Sequence, residues 1–345
     1  MPATRTISAR VYALHNGVRL KEMRFSAPPT LTASTNATIR MSLSGTFAHD
    51  DDIDYVNDML EPTLIINGFE NSLGTYMIGT LTRKYSAAQT EDEIEAYDQS
   101  LLLQQTRIEK RLHFAAGERY TKCITRLLMM AGIKRAEVTD AYAKLPTDRE
   151  DWEIGTDVLT IINELLDEIN YERVWFNFAG AAVIQPKRDA NIDNPTVSYR
   201  ADDYSVLQAG STSTVDSYDA PNVFVATVLN PDYDGQITAT AVNDNPSSAL
   251  STVRRGRRIA KTIKLDNVAS QSDLQKYVND ICMNSMYASE KITFSTAVNA
   301  NHQIDEVVEL YSKNMMGVYL ETGWSMELAA GGTMQHTAER MIYSL

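Results

Sequence analysis

Leu145-Pro146-Thr147-Asp148-Arg149 leads through Ile154-Gly155-Thr156-Asp157-Val158-Leu159 to Asn170-Tyr171, then to Val174-Trp175-Phe176-Asn177-Phe178 and Val183-Ile184-Gln185-Pro186. This stretch decides the fold class. Thr156 carries an N-cap hydroxyl that can accept from an early orphan amide of the helix that follows. Asp157 then puts a negative charge in the first turn, where the helix dipole favours it. Val158, Leu159, Ile161, Ile162, Leu165, Leu166 and Ile169 recur at helical spacing and predict one broad apolar face. Asn170-Tyr171 stops the helix. Two short strands follow, 174–178 and 182–185, turned by Ala179-Gly180, where glycine admits positive φ. The product is a helix–hairpin unit near mid-chain, free of evident chemistry, with β structure expected on both sides.

On the N-terminal side, residues 7–13 and 39–43 alternate apolar and polar side chains and read as strands. Residues 26–36, with Pro28-Pro29, read as a loop or an edge. Leu64-Ile65-Ile66 runs into the turn signal Asn67-Gly68, and 74–83 resumes as a strand through Tyr76, Ile78 and Leu81. Residues 96–112 are taken as mostly extended. This block predicts a small β-barrel or sandwich. A helical section follows, with Tyr120, Cys123, Ile124, Leu127, Leu128 and Ala131 on one face and Gly132 as the C′ stop.

Beyond Thr196 the chain returns to β. Strands are expected at 222–229, 235–242, 259–265 and 291–298. One helix interrupts them, its stripe of Leu274, Val278, Ile281, Cys282 and Met286 starting near Ser270 or Ser272. The chain closes on a hairpin, with Val318, Leu320, Trp324, Met326 and Leu328 on one face, Gly331-Gly332 as the turn, and 334–342 returning. The expected class is therefore α+β and β-rich. Two β-barrel or sandwich domains, 1–112 and 196–345, flank an α+β middle domain, 113–195, with a helical insertion around 270–289. The two β blocks echo each other coarsely, which hints at duplication.

At 345 residues the chain is too long for one ordinary core. A hydrophobic fraction of 43% with 17 Tyr describes a folded chain rather than a disordered one. Met1-Pro2-Ala3-Thr4-Arg5 lacks the apolar core of a signal peptide, and no apolar run approaches ~20 residues, so neither export by that route nor membrane insertion is expected. Cys123 and Cys282 fall on apolar helix faces and read as buried free thiols. The net charge of −13 argues against coating nucleic acid, which needs Lys and Arg to neutralise phosphate. An acidic surface suits the opposite task, keeping nucleic acid from sticking as it passes.

Few constellations carry chemistry. Asp50-Asp51-Asp52-Ile53-Asp54, with Asp58 and Glu61, places carboxylates at positions 1, 3, 5, 9 and 12 of a calcium-loop count from Asp50. Position 6 is Tyr55 where the sharp turn needs glycine, and no helix precedes it, so a short surface helix with acids at its N-terminus is the plainer reading. Arg254-Arg255-Gly256-Arg257-Arg258, backed by Lys261 and Lys264, is the one basic concentration. It lacks interleaved aromatics for nucleic acid and reads instead as the start of a strand that contacts a neighbouring subunit or another partner. His15, His49, His113, His302 and His336 are scattered, no two at metal-ligand spacing. Gly323-Trp324-Ser325-Met326-Glu327 opens like a nucleophile elbow but lacks the second glycine and lies within a hairpin strand. No phosphate loop or dinucleotide fingerprint occurs. No catalytic residue, cofactor or metal is expected, and the residues alone describe a multi-domain structural or binding protein.

Four segments carry a family likeness. They are 64–85 (Leu-Ile-Ile-Asn-Gly, then Leu-Gly-Thr-Tyr-Met-Ile-Gly-Thr-Leu), 116–133, 145–186, and 307–341 with Val318-Tyr319, Trp324-Ser325-Met326 and Gly331-Gly332-Thr333-Met334-Gln335-His336. In these the sequence resembles the baseplate or tail-tip hub proteins of long-tailed bacteriophages, contractile bacteriocins and defective prophages. The resemblance implies two tube-type β domains related by duplication, a helical middle domain and a helix inserted in the second tube domain. It implies a homotrimer whose six tube domains mate with a six-fold tail tube or distal tail protein, and whose other face seats a three-fold spike or fibre. A tape measure protein is a further expected partner, and DNA would pass without specific binding. The chain stops at Leu345, after its last tube strand, so spike and wall-hydrolase functions are expected on other chains. The expected place is the virion tail tip, assembled in the bacterial cytoplasm. Asp50, Asp51, Asp52 and Asp54 are then candidates for lining or capping the channel, and Arg254, Arg255, Arg257 and Arg258 for an intersubunit or partner contact. Two rival readings are a receptor- or carbohydrate-binding tail module, which needs clustered exposed aromatics, and a tail-associated peptidoglycan hydrolase, which needs a working Glu/Asp pair.

Overall fold

The computed structural model describes residues 5–87, 89–150, 152–190, 193–202, 206–216, 220–229, 236–265, 271–284, 288–313 and 315–342. The first eight strands are β1 (Ile7–His15), β2 (Val18–Met23), β3 (Thr30–Ser34), β4 (Met41–Ala48), β5 (Met59–Ile66), β6 (Phe69–Ser72), β7 (Tyr76–Tyr85) and β8 (Thr90–Tyr97). Then come α1 (Ser100–Gln105), α2 (Tyr120–Met130), β9 (Ala136–Val138), α3 (Val158–Glu168), β10 (Trp175–Phe176) and β11 (Ala182–Ile184). The remainder is β12 (Val197–Arg200), β13 (Thr212–Asp216), β14 (Val223–Leu229), β15 (Gln236–Val242), α4 (Thr252–Arg255), β16 (Ala260–Leu265), α5 (Gln271–Asn284), β17 (Ala288–Ala297), β18 (Val307–Tyr311), β19 (Met316–Glu327) and β20 (Thr333–Ile342). The fold is β-rich with few helices, as the sequence predicts. It divides into two compact units, Met1–Gly210 with Phe294–His336 and Ser211–Thr293 with Thr337–Leu345.

In the first unit the main sheet runs β2-β1-β5-β7-β8-β4-β3-β19 and on to β20, with β6 beside β5 and β18 beside β19. Pairing is antiparallel from β2 to β19, and β12 lies parallel to β18. Two Asn-Gly pairs make the hairpins at one end of the sheet. Asn16 and Gly17 have φ of 51° and 78°, and Asn67 and Gly68 have 53° and 85°. Positive φ at both central residues is the type I′ turn, whose twist matches the strands it joins. Val11, Ala13, Leu43, Phe47, Leu60, Leu64, Ile94 and Ala96 face one core, the period-two consequence of a sheet with one buried side.

Three local expectations are corrected. Residues 26–36 contain β3, an interior strand: Leu31 faces Leu43 on one side and Met326 on the other. Pro28-Pro29 lie ahead of the strand, so every amide of 30–34 stays free for the ladder. The first and last β blocks thus meet in one sheet. Residues 96–112 are not mainly extended, because Asp98 accepts from the Ser100 amide at 2.8 Å and starts α1. Ala96 and Tyr97 close β8, and beyond Thr106 the chain leaves the helix, with Arg107 bridging to Asp157 and Phe114 to Arg149. In β19 the buried side changes along the strand. Tyr319 and Glu321 are buried where Val318 and Leu320 are only half-buried, whereas Trp324, Met326 and Leu328 keep the expected face.

α2 and α3 close a second core in this unit with Phe114, Leu145, Trp152, Tyr171 and the apolar side of β11. The Asp157 carboxylate accepts from Thr160 N at 2.8 Å and is the N-cap of α3. Thr156 lies one residue outside, its hydroxyl spent on the Glu153 carbonyl. At the other end Asn170 has φ 58°, with Asn170 N bonded to Asp167 O and Tyr171 N to Leu166 O, which is the Schellman stop. Gly132 ends α2 the same way. β10 and β11 form the expected hairpin, and β9 adds in parallel beside β11. Arg40 ties distant parts of the unit together: its guanidinium meets Asp305 at 2.7 Å and Glu172 at 2.9 Å, with Arg40 and Asp305 side chains both 3% exposed.

The second unit has its own core. β14 pairs antiparallel with β15 and parallel with β16. Phe224, Ala226, Val228, Ala239 and Ala241 pack against Leu274, Val278 and Cys282 of α5. The inserted helix falls where the sequence places it, although Ser270 and Met286 lie outside the described residues. β13 pairs with the first half of β17. Cys123 and Cys282 are both free and buried.

Candidate functional site

The acidic run builds a turn. Residues 50–58 form bends and turns between β4 and β5, not a short helix. Their carboxylates are engaged in holding that shape. Asp50 accepts from Asp52 N at 3.1 Å and pairs with Lys21 at 2.6 Å. Asp54 accepts from Val56 N, Asn57 N and the Asn57 side chain, and these bonds hold its carboxyl below its usual range. Lys21 likewise pulls Asp50 down against the opposing effect of burial. Asp58 is buried, accepting from Asp54 N and pairing with His15 at 2.7 Å. Most open to solvent are Asp51, 98% exposed and 3.1 Å from His49 Nε2, and Asp52, 76% exposed and paired with Lys21 at 3.0 Å. A helix–loop–helix cation site does not form on these residues.

The arginine run is α4 and its exit. Ser251 caps α4 by accepting from Arg254 N, and Gly256 closes it at φ 60°. Arg255 turns inward and donates to the Ala220 carbonyl at 2.7 Å; burial, then Arg257, lowers its pKa. Arg254, Arg257 and Arg258 are exposed. The acids belong to the first unit and the arginines to the second.

Sequence spacing missed the group with the most chemistry. His302, Glu321 and His336 converge inside the first unit, their side chains 1%, 1% and 0% exposed. Glu321 Oε2 lies 2.5 Å from His302 Nε2, and Oε1 lies 2.6 Å from His336 Nδ1. Outward, His302 Nδ1 meets the Tyr199 hydroxyl at 3.2 Å and His336 Nε2 meets Thr296 Oγ1 at 2.9 Å. Phe294 stacks on His336 with centroids 4.6 Å apart and planes at 7°. Burial pushes Glu321 up, but His302 and then His336 outweigh it and hold its carboxyl below the usual range. Burial lowers His336. Residues 302, 321 and 336 come from a loop, β19 and β20, so no linear motif could announce them. One signal was available: a lone Glu inside an apolar hairpin strand needs a buried partner.

Open clefts of ≈ 460, 550 and 340 Å³ lie elsewhere, and none of these three is lined by a His or Cys. The tryptophans offer no sugar platform: Trp152, Trp175 and Trp324 are 6%, 5% and 3% exposed. No helix among the described residues is long and apolar enough to cross a membrane.

No family profile and no curated protein matches the sequence. Solved structures do match its fold. The tail protein from Neisseria meningitidis MC58 is similar at 15% identity and a TM-score of 0.65, covering 96% of this chain and 97% of that one. The 43 kDa tail protein of prophage MuSo2 from Shewanella oneidensis is similar at 13% identity and 0.66, covering 96% and 98%. Prophage tail protein gp18 from Listeria monocytogenes EGD-e follows at 12% identity and 0.54, covering 96% and 94%. From end to end, the chain has the fold of prophage tail proteins.

Proposed function

We propose that the chain is a structural component of a phage-type tail, the hub of its baseplate or tail tip, with no catalysis of its own. The observation that carries this reading is the whole-chain likeness to two tail proteins, one of them from a prophage, at TM-scores of 0.65 and 0.66. In this reading three copies close a ring that adapts a six-fold tail tube or distal tail protein to a three-fold spike or fibre. A tape measure protein is a further partner in this reading, and DNA passes through the ring without specific binding. The domains 1–112, 113–195 and 196–345 act as tube-type, middle and tube-type parts. The protein is assembled in the bacterial cytoplasm and resides in the virion.

Surface chemistry supports an assembled role. Val18, Val56, Phe69 and Tyr85 are 70%, 86%, 76% and 79% exposed, apolar area that a neighbouring chain would cover. Asp51 and Asp52, though paired with His49 and Lys21, stay 98% and 76% exposed and suit a wall that repels phosphate, while Arg254, Arg257 and Arg258 suit a contact with acidic groups of a neighbour.

Light scattering on the purified chain across a salt series tests the reading. A species of three times 38.5 kDa is expected, and dissociation at high salt would implicate the arginines. A monomer that also fails to form a ring on purified tail tubes overturns it. Clearing on a peptidoglycan zymogram would overturn the non-catalytic part.

A further inference from the structure

We propose that His302, Glu321 and His336 bind one structural transition-metal dication, with zinc the best fit. The inference is independent of the tail reading and rests on proton counting and ring placement. The Thr296 hydroxyl has one proton, and it donates to the Ala297 carbonyl at 2.9 Å. A carbonyl can only accept, so the arrangement that satisfies both 2.9 Å contacts has the histidine donating from Nε2. A neutral imidazole has a single N–H, so His336 Nδ1 turns a lone pair toward Glu321 Oε1, 2.6 Å away. Two lone pairs at that distance need a cation between them.

Several features favour a metal ion over a proton in that place. A second imidazole nitrogen, His302 Nε2, meets the same carboxylate at 2.5 Å, giving two nitrogens and a carboxylate, the donor set that zinc and its first-row neighbours share. Two imidazoles on one zinc, with bonds of about 2.0–2.1 Å, place their centroids about 5 Å apart. The His302 and His336 centroids are 5.0 Å apart, with planes at 83°. Both remote ring nitrogens are held by hydroxyls, Tyr199 and Thr296, the outer hydrogen bonding that orients metal-binding histidines. Admitting the ion needs the Glu321 carboxylate to draw back from both rings by about 0.7 Å, to tetrahedral ligand spacing, which leaves the ring separation as it is. With Glu321 bound through both oxygens the ion has four donors. Three near-fully buried side chains offer no open coordination position, so the role is structural: the ion is loaded as the fold closes and fastens the loop at 302 to β19 and β20.

The test uses the full-length, untagged chain from zinc-supplemented medium. Elemental analysis is expected to find about one zinc per chain. Refolding with cobalt(II) in place of zinc is expected to give the visible ligand-field bands of a tetrahedral site. Chelation should lower the melting temperature of the wild type. Glu321→Gln keeps the shape and can still accept from His302 and donate to His336, so a purely hydrogen-bonded cluster would tolerate it. For a metal site it should cut occupancy at least about tenfold and remove the chelator effect. Should E321Q fail to fold, the wild-type cobalt spectrum decides alone. Chain that refolds in zinc or cobalt without taking up metal, with no bands and an unchanged melting temperature, overturns the proposal and makes the bridging cation a proton.

Discussion

Among single residues, buried charge sets the sharpest expectations. Asp98 is 3% exposed, and one of its carboxylate oxygens has no partner. Burial, opposed by bonds from Ser100 and by the charge of Arg40, raises its pKa to about 6. The folded chain then holds this proton more tightly than the unfolded chain does. Its stabilisation is complete below the ordinary value of 3.8 and is lost as pH rises through about 6. Asp98→Asn should erase that slope, worth on the order of 2–3 kcal/mol across the window. Urea denaturation of both proteins at pH 4 to 7 checks it; parallel profiles would refute the shift. Asp305, raised to about 6 chiefly by burial, titrates in the same window but is present in both proteins and cancels. At this scale the sequence was only partly readable. It exposed the Asp50–Asp54 run because adjacent acids are visible in one dimension. It hid His302, Glu321 and His336, which only the fold brings together.

Elements were more legible than residues, because hydrophobic period is local. The apolar face of α3 is the one its spacing predicts, with Val158, Ile161, Ile162, Leu165 and Leu166 all buried. What the period could not fix was which of two adjacent capping residues starts the helix. The Asp157 carboxylate bonds both the Thr160 amide, at 2.8 Å, and the Thr160 hydroxyl, at 3.0 Å. Asp157→Ala should therefore cost about 1 kcal/mol, and Thr156→Ala, which loses only a bond to the Glu153 carbonyl, should cost less. Paired denaturation curves check the order, and the reverse order would return the cap to Thr156. β19 failed for a related reason. A strand read by strict alternation carries one side throughout, and a change of side after Glu321 inverts every assignment upstream of it. β3 was misread because Pro28-Pro29 looked like part of the strand rather than its preface.

At the scale of the molecule, the β-rich class and the order of blocks were legible, since they follow from which periods succeed one another. The junctions were not, because pairing β3 with β19 joins residues nearly 300 positions apart and no local pattern encodes such a contact. The separate core of the second unit leads to the final expectation. Val278 on α5 is fully buried among Phe224, Ala226, Val228 and Ala239, and an unpaired carboxylate there costs far more than a small core can supply. The first unit has two cores of its own. It also holds the ends of the insertion close together, through Gln208 N bonded to Ser295 O at 2.8 Å and the Leu207–Thr296 bridge. Val278→Asp should therefore melt the second unit and spare the first, as expected of units with independent cores. Hydrogen exchange read by mass spectrometry would then show β14, β15 and α5 losing protection while β1, β5, α2 and α3 keep theirs. Loss of protection throughout would mean that the first unit cannot stand without the second, and the chain would have to be treated as a single cooperative fold.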